Sequence, residues 1–163
     1  MKHTVFFPRL DGLGMALVRR SLERLEHACA EGHRCLHEAG GAHPAFRDVL
    51  EPMGEMHRTA SLGLRRLMTE IGTPIVPVPP IDPLICFRCP DLLDAARQHD
   101  GAGLLAECEL GERALSRVYH ETLDAPIPPH LAAEIEAQLL MVDQALIQLR
   151  TLRELRETMP RSA

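Results

Sequence analysis

Tryptophan is absent from this 163-residue chain, tyrosine occurs once, and aromatic residues make up 3% of it. Leu and Ala must therefore fill the core, as they do in packed helices. Val, Ile and Thr are too scattered to build a sheet. No apolar run is long enough to span a bilayer. The N-terminal stretch MKHTVFFPRLDGLG, interrupted by Pro8 and Asp11, lacks the apolar centre of a signal peptide. Basic residues form no stripe and the formal net charge is −5, so nucleic acid is not an expected partner. The five cysteines are odd in number and follow no regular framework, which argues against a secreted disulfide scaffold. A cytoplasmic protein without membrane association is expected.

What is present is helical periodicity, and it implies an all-α fold. Met15, Val18, Leu22, Leu25, Cys29, Gly32, Leu36 and Ala39 recur in steps of three and four, which predicts a helix over 12–40 with one buried seam. Gly40-Gly41 should end it. A second helix is predicted over 44–72, with Phe46, Leu50, Met53, His57, Ala60, Leu64, Leu67 and Ile71 inward and Gly72 at its end. Pro52 should kink or restart that helix. A proline-rich stretch at 73–83 follows, expected to be extended and to cross the length of the bundle. A short helix over 90–99 comes next, with Cys89 as its N-cap, and Asp100-Gly-Ala-Gly103 should break it. Two long helices complete the chain, over 104–124 and 129–158. Tight turns pair the first two helices and the last two, and a long crossover joins the pairs. That is the plan of a ferritin-like four-helix bundle with a short extra helix in its crossover, in one domain.

The two halves match. Cys-Ala-Glu-Gly-His-Arg at 29–34 aligns with Cys-Glu-Leu-Gly-Glu-Arg at 108–113, 79 residues later. At the same offset Leu25 meets Leu104, Gly32 meets Gly111 and Leu36 meets Leu115, which favours an internal duplication. Gly32 and Gly111 are then expected to face each other across a pseudo-two-fold axis.

The segment Leu104-Leu-Ala-Glu-Cys-Glu-Leu-Gly-Glu112, with Tyr119, Leu123, Pro128-Pro129, Ile135-Glu-Ala-Gln-Leu139, Val142 and Leu149-Arg-Thr-Leu-Arg153, resembles an uncharacterised bacterial family of ferritin-like, rubrerythrin-like bundles. The likeness extends from about Leu22 to Glu154 and implies the fold, a metal-binding or stress-associated role, and little about activity. The chain departs from it where a ligand His would stand near Leu146. A di-iron centre takes one Glu from each of two helices and a Glu-x-x-His pair from each of the others, because residues three apart share a helix face. Here Glu51 is followed at that spacing by Gly54, and Glu136 by Leu139. A di-iron oxidase is not expected, and no catalytic residue is named.

Five residues are candidates for a reduced or altered site holding a single transition-metal ion (Zn, Cu or Fe). His33 and Glu112 occupy equivalent places in the two halves, Glu51 and Glu136 support them, and His57 lies on the second helix's seam near Glu26 and His27. The plainer reading is a hydrogen-bonded polar layer that fixes helix register, and it is preferred. Cys29, His33 and His37 form a stripe at four-residue spacing. Cys86-Phe-Arg-Cys89-Pro90 is the one redox-like motif, weak without a second C-x-x-C. Leu139 to Val142 and Ile147 widen the last helix's apolar face, either under the crossover or in a homodimer with no other protein partner named.

Overall fold

A computed structural model describes residues 12–72 and 86–158, and every regular element among them is helical. Five α-helices occur: α1 Gly12–Ala42, α2 Arg47–Ile71, α3 Cys89–Arg97, α4 Gly101–Leu123 and α5 Pro129–Thr158, with one 3-10 turn at Pro44–Phe46 before α2. The 73–83 crossover lies outside the described residues. No described helix is long and apolar enough to cross a membrane.

Each long helix buries most of the seam its sequence marks, with Met15 and Ile71 at the helix ends only half-buried. Val18, Leu22, Leu25, Cys29, Gly32, Leu36 and Ala39 of α1 meet Leu50, Met53, His57, Leu64 and Leu67 of α2. Leu104, Cys108, Gly111, Leu115 and Val118 of α4 complete the core with Leu131, Ile135, Val142 and Leu149 of α5. Four boundaries differ from expectation. The α1 helix continues through Gly40 and Gly41 to Ala42. The α2 helix does not restart at Pro52, which stands in its second turn and removes a single backbone donor there. Arg88, not Cys89, is the N-cap of α3. The short helix ends before Asp100 as expected, but α4 begins at Gly101, ahead of the predicted 104: the Asp100 carboxylate accepts from the Gly103 N–H at 2.9 Å, satisfying a donor the helix end would leave bare.

Side-chain contacts fix the helix directions. Arg19, early in α1, donates to the Met68 and Gly72 carbonyls at the end of α2, at 3.0 and 2.7 Å, so the two run antiparallel. Arg24 pairs with Glu121 and Cys29 with Tyr119, which sets α4 antiparallel to α1. Arg66 pairs with Glu134, which sets α5 antiparallel to α2. It follows that α2 and α4 run parallel. The chain leaves α2 at the level of Arg19 and enters α3 at the level of Cys35, whose sulfur is in disulfide contact with Cys89. Sixteen residues of α1 separate those levels, which is about 24 Å at the helical rise.

Behind Gly32 and Gly111 the structure holds something the sequence did not show. The glycines do not meet directly. The Phe87 ring, from the segment just before α3, sits between them. A Cβ on Gly32 would lie 2.7 Å from Phe87 Cε2, and one on Gly111 would lie 2.5 Å from Cε1. Their matched register is a slot for an aromatic ring.

Candidate functional site

At the level of Phe87 lies the most polar part of the core. His57 Nε2 and Glu112 Oε1 are 2.6 Å apart and both residues are 0% exposed. It is a short, fully buried hydrogen bond between an imidazole nitrogen and a carboxyl oxygen. His57 Nδ1 and Glu112 Oε2 have no hydrogen-bond partner. The Phe87 ring packs against the His57 imidazole in a T-shaped contact, ring centroids 5.7 Å apart, so water is kept from this side of the couple.

Two turns further along α4, Tyr119 donates to Gln138 Oε1 at 3.1 Å, and Cys29 Sγ lies 3.3 Å from its hydroxyl oxygen. With the phenol proton committed to Gln138, the thiol is the donor to Tyr119. Burial pushes the Cys29 thiol up to about 12, and raises Cys108 and the Tyr119 phenol well above their usual ranges. These groups are neutral hydrogen-bonding partners near neutral pH, not nucleophiles or metal-ready thiolates.

The couple lies beneath an open cleft of about 810 Å³ between α2 and α5. Met56, Ala60, Leu62, Met141 and Val142 give it apolar walls, while His57, Tyr119 and Gln138 contribute polar groups. Glu134 and Arg66 form an ion pair at its rim, with Nη2 2.6 Å from Oε2. Gly63 has no side chain to push Glu134 and Gln138 away: a Cβ there would come within 3.0 and 3.1 Å of them. A second hollow of about 520 Å³ continues along the same groove past Pro52, Met56 and Met141 to Ile147 and Leu152.

Of the five candidate metal ligands, His57 and Glu112 are brought together and the other three are not. Glu51 is exposed and pairs with Arg47 at 3.7 Å. It stands six residues before His57, roughly 240° round the helix from it. Glu136 is exposed because Ile135 and Leu139 take the inward positions. His33 is half-buried and donates from Nδ1 to the Gly54 carbonyl at 3.0 Å, beside the buried seam instead of on it. His37 is exposed, so the stripe with Cys29 faces two directions. His57 does not pair with Glu26 and His27: Glu26 accepts from Ser61 and Arg65 at 2.7 and 2.8 Å. Leu146 is buried core.

Two features went unnoticed in the sequence. Glu109, 4% exposed, holds Arg113, Arg150 and Arg153 at 2.6, 3.2 and 3.3 Å and ties α4 to α5. Its spacing to Arg113 was a readable i,i+4 pair. The other is the partner of Cys89, which is Cys35 on α1 and not Cys86. No local spacing signals that pairing. Comparison with protein-family models, with curated proteins and with solved structures returns no match for this chain.

Proposed function

We propose that this chain is a ferritin-like bundle that binds a small, largely apolar molecule in the α2–α5 cleft and has no di-iron oxidase chemistry. The observation that carries the reading is the cleft itself, with the His57–Glu112 couple beneath it. Its volume of about 810 Å³ suits a ligand of modest size. Apolar walls with a few convergent polar groups are the usual construction of such sites. A di-metal centre needs several inward carboxylates to balance at least four positive charges, yet Glu112 is the only one of the three candidate carboxylates in the core. The ligand expected is an apolar body with one group that hydrogen-bonds to the half-buried Gln138 amide.

The test uses an anilinonaphthalene sulfonate dye and its displacement by neutral and amphiphilic small molecules. Saturable binding of one dye per chain is expected. Ala137→Trp, at an exposed position lining the cleft, should weaken it at least about tenfold, or roughly 1.4 kcal/mol, with an unchanged melting curve. The same protein should not oxidise Fe²⁺ rapidly in air. Equal dye binding by the blocked variant, or fast turnover with two irons per chain, would remove this reading.

A second reading has its own observation. Leu140, Met141 and Ile147 are 58%, 48% and 63% exposed on α5, beside the same groove. An outward apolar face of this kind suits a homodimer. Sedimentation equilibrium should then show a dimer that Ile147→Glu dissociates. A monomer at every concentration would leave the ligand reading alone.

A further inference from the structure

Glu31 and Cys35 stand four residues apart on one face of α1, and Cys89 opens α3 against them. One ligand atom from each lies within 4.8 Å of the others, the one such group of three among the described residues. We propose that Glu31, Cys35 and Cys89 form a binding site for a soft divalent cation of the Zn²⁺ type when the two cysteines are reduced.

Three observations point there. Glu31 Oε2 is shut off from solvent and has no hydrogen-bond partner. A disulfide is neutral and gives that oxygen nothing, whereas a cation held by two thiolates satisfies it. The charges also balance. Two thiolates and one carboxylate carry three negative charges, which a divalent ion and the Arg34 guanidinium offset. Arg34 Nη2 is 3.4 Å from Cys89 Sγ and 3.9 Å from Cys35 Sγ, and the α3 N-terminus adds its dipole at Cys89. Finally, an open hollow of about 670 Å³, lined by Glu31, Arg34 and Cys89 among others, gives an ion a way in.

The fourth position of a tetrahedral ion is then open to water from the hollow. The chemistry closes without further partners. A dithiol or phosphine reductant delivers two electrons to the Cys35–Cys89 disulfide, and each sulfur takes up a proton. The incoming ion then displaces those protons as it binds the thiolates. Binding fastens α3 to α1 and holds Phe87, two residues before Cys89, in its slot. The site is separate from the α2–α5 cleft and stands whether or not that cleft binds a ligand.

The test is titration of the fully reduced chain with Co²⁺, read by its visible bands and its thiolate-to-metal charge-transfer absorption, followed by displacement with Zn²⁺. One ion per chain in a tetrahedral thiolate environment is expected. Cys35→Ser and Cys89→Ser should abolish the charge-transfer band. Glu31→Gln should weaken affinity at least about tenfold, and Cys108→Ser should leave it unchanged. Circular dichroism of each variant confirms that it folds, and a melting temperature that Zn²⁺ raises in the native sequence but not in Cys35→Ser gives a second readout. Absence of a charge-transfer band in the reduced chain, or binding untouched by Cys35→Ser and Cys89→Ser, overturns the proposal. So does a Cys35–Cys89 disulfide that intact-mass analysis finds resistant to reductant.

Discussion

Phe87→Ala is expected to destabilise the fold by about 3–5 kcal/mol, as removing a buried aromatic ring does, and to lower the melting temperature by roughly 6–20 °C for a chain of this size. The ring is fully buried and has contact on three sides: Gly32, Gly111 and the His57 imidazole. Its removal leaves a cavity beside a polar couple, so loss of packing is joined by access of water to His57 and Glu112. The slot makes a sharper prediction through Gly111. Gly→Ala in a helix is intrinsically favourable by about 0.5–1 kcal/mol. Here the new Cβ would overlap Phe87 Cε1 at 2.5 Å, and such overpacking costs about 1–3 kcal/mol. Gly111→Ala should therefore destabilise the native chain yet stabilise the Phe87→Ala chain. Urea denaturation of both singles and the double gives the cycle. Simple additivity would show that Phe87 does not fill the space the two glycines leave.

That slot illustrates how much of the molecule could be read in advance. The helical seams were legible because a period of 3.6 is written along each helix, and Val18 to Ala39 or Leu104 to Val118 need no knowledge of what lies opposite. Glycines at matched positions signalled a close approach, but not by what. The ring comes from Phe87, in a segment with no periodicity to place it. The site was less legible for a related reason. His57 is recognisable as inward from its place on the α2 seam, but sequence adjacency points to α1 for its partner. Glu112 instead reaches it from α4, which runs parallel to α2 across the core. Cys35 and Cys89 meet over a separation of 54 residues, again a fact of topology. Glu51 and Glu136 were charged residues near apolar ones, and a shift of one or two positions round a helix puts a carboxylate in water.

Breaking the His57–Glu112 couple from one side is expected to be costlier than removing it altogether. Both side chains are 0% exposed, and each already has one atom without a hydrogen-bond partner. Glu112→Leu strands an imidazole in the core, and His57→Leu strands a carboxyl group that has no other ion-pair partner among the described residues. Each single change should cost about 3–5 kcal/mol, the range for removing one member of a buried pair. The double variant His57→Leu/Glu112→Leu removes both polar groups of the couple and leaves neither unpaired, with side chains of similar size. It should recover most of the loss and reach or exceed native stability by up to about 1–4 kcal/mol. Chemical denaturation of the four proteins measures the asymmetry directly. A double variant as unstable as the singles would show that the couple is held for packing and not by mutual compensation. If stability returns while the cleft loses its dye, the couple is kept for the ligand at a cost to the fold. If dye affinity survives in the stable double variant, His57 and Glu112 serve only to set the register of α2 against α4, and the walls of the cleft bind without them.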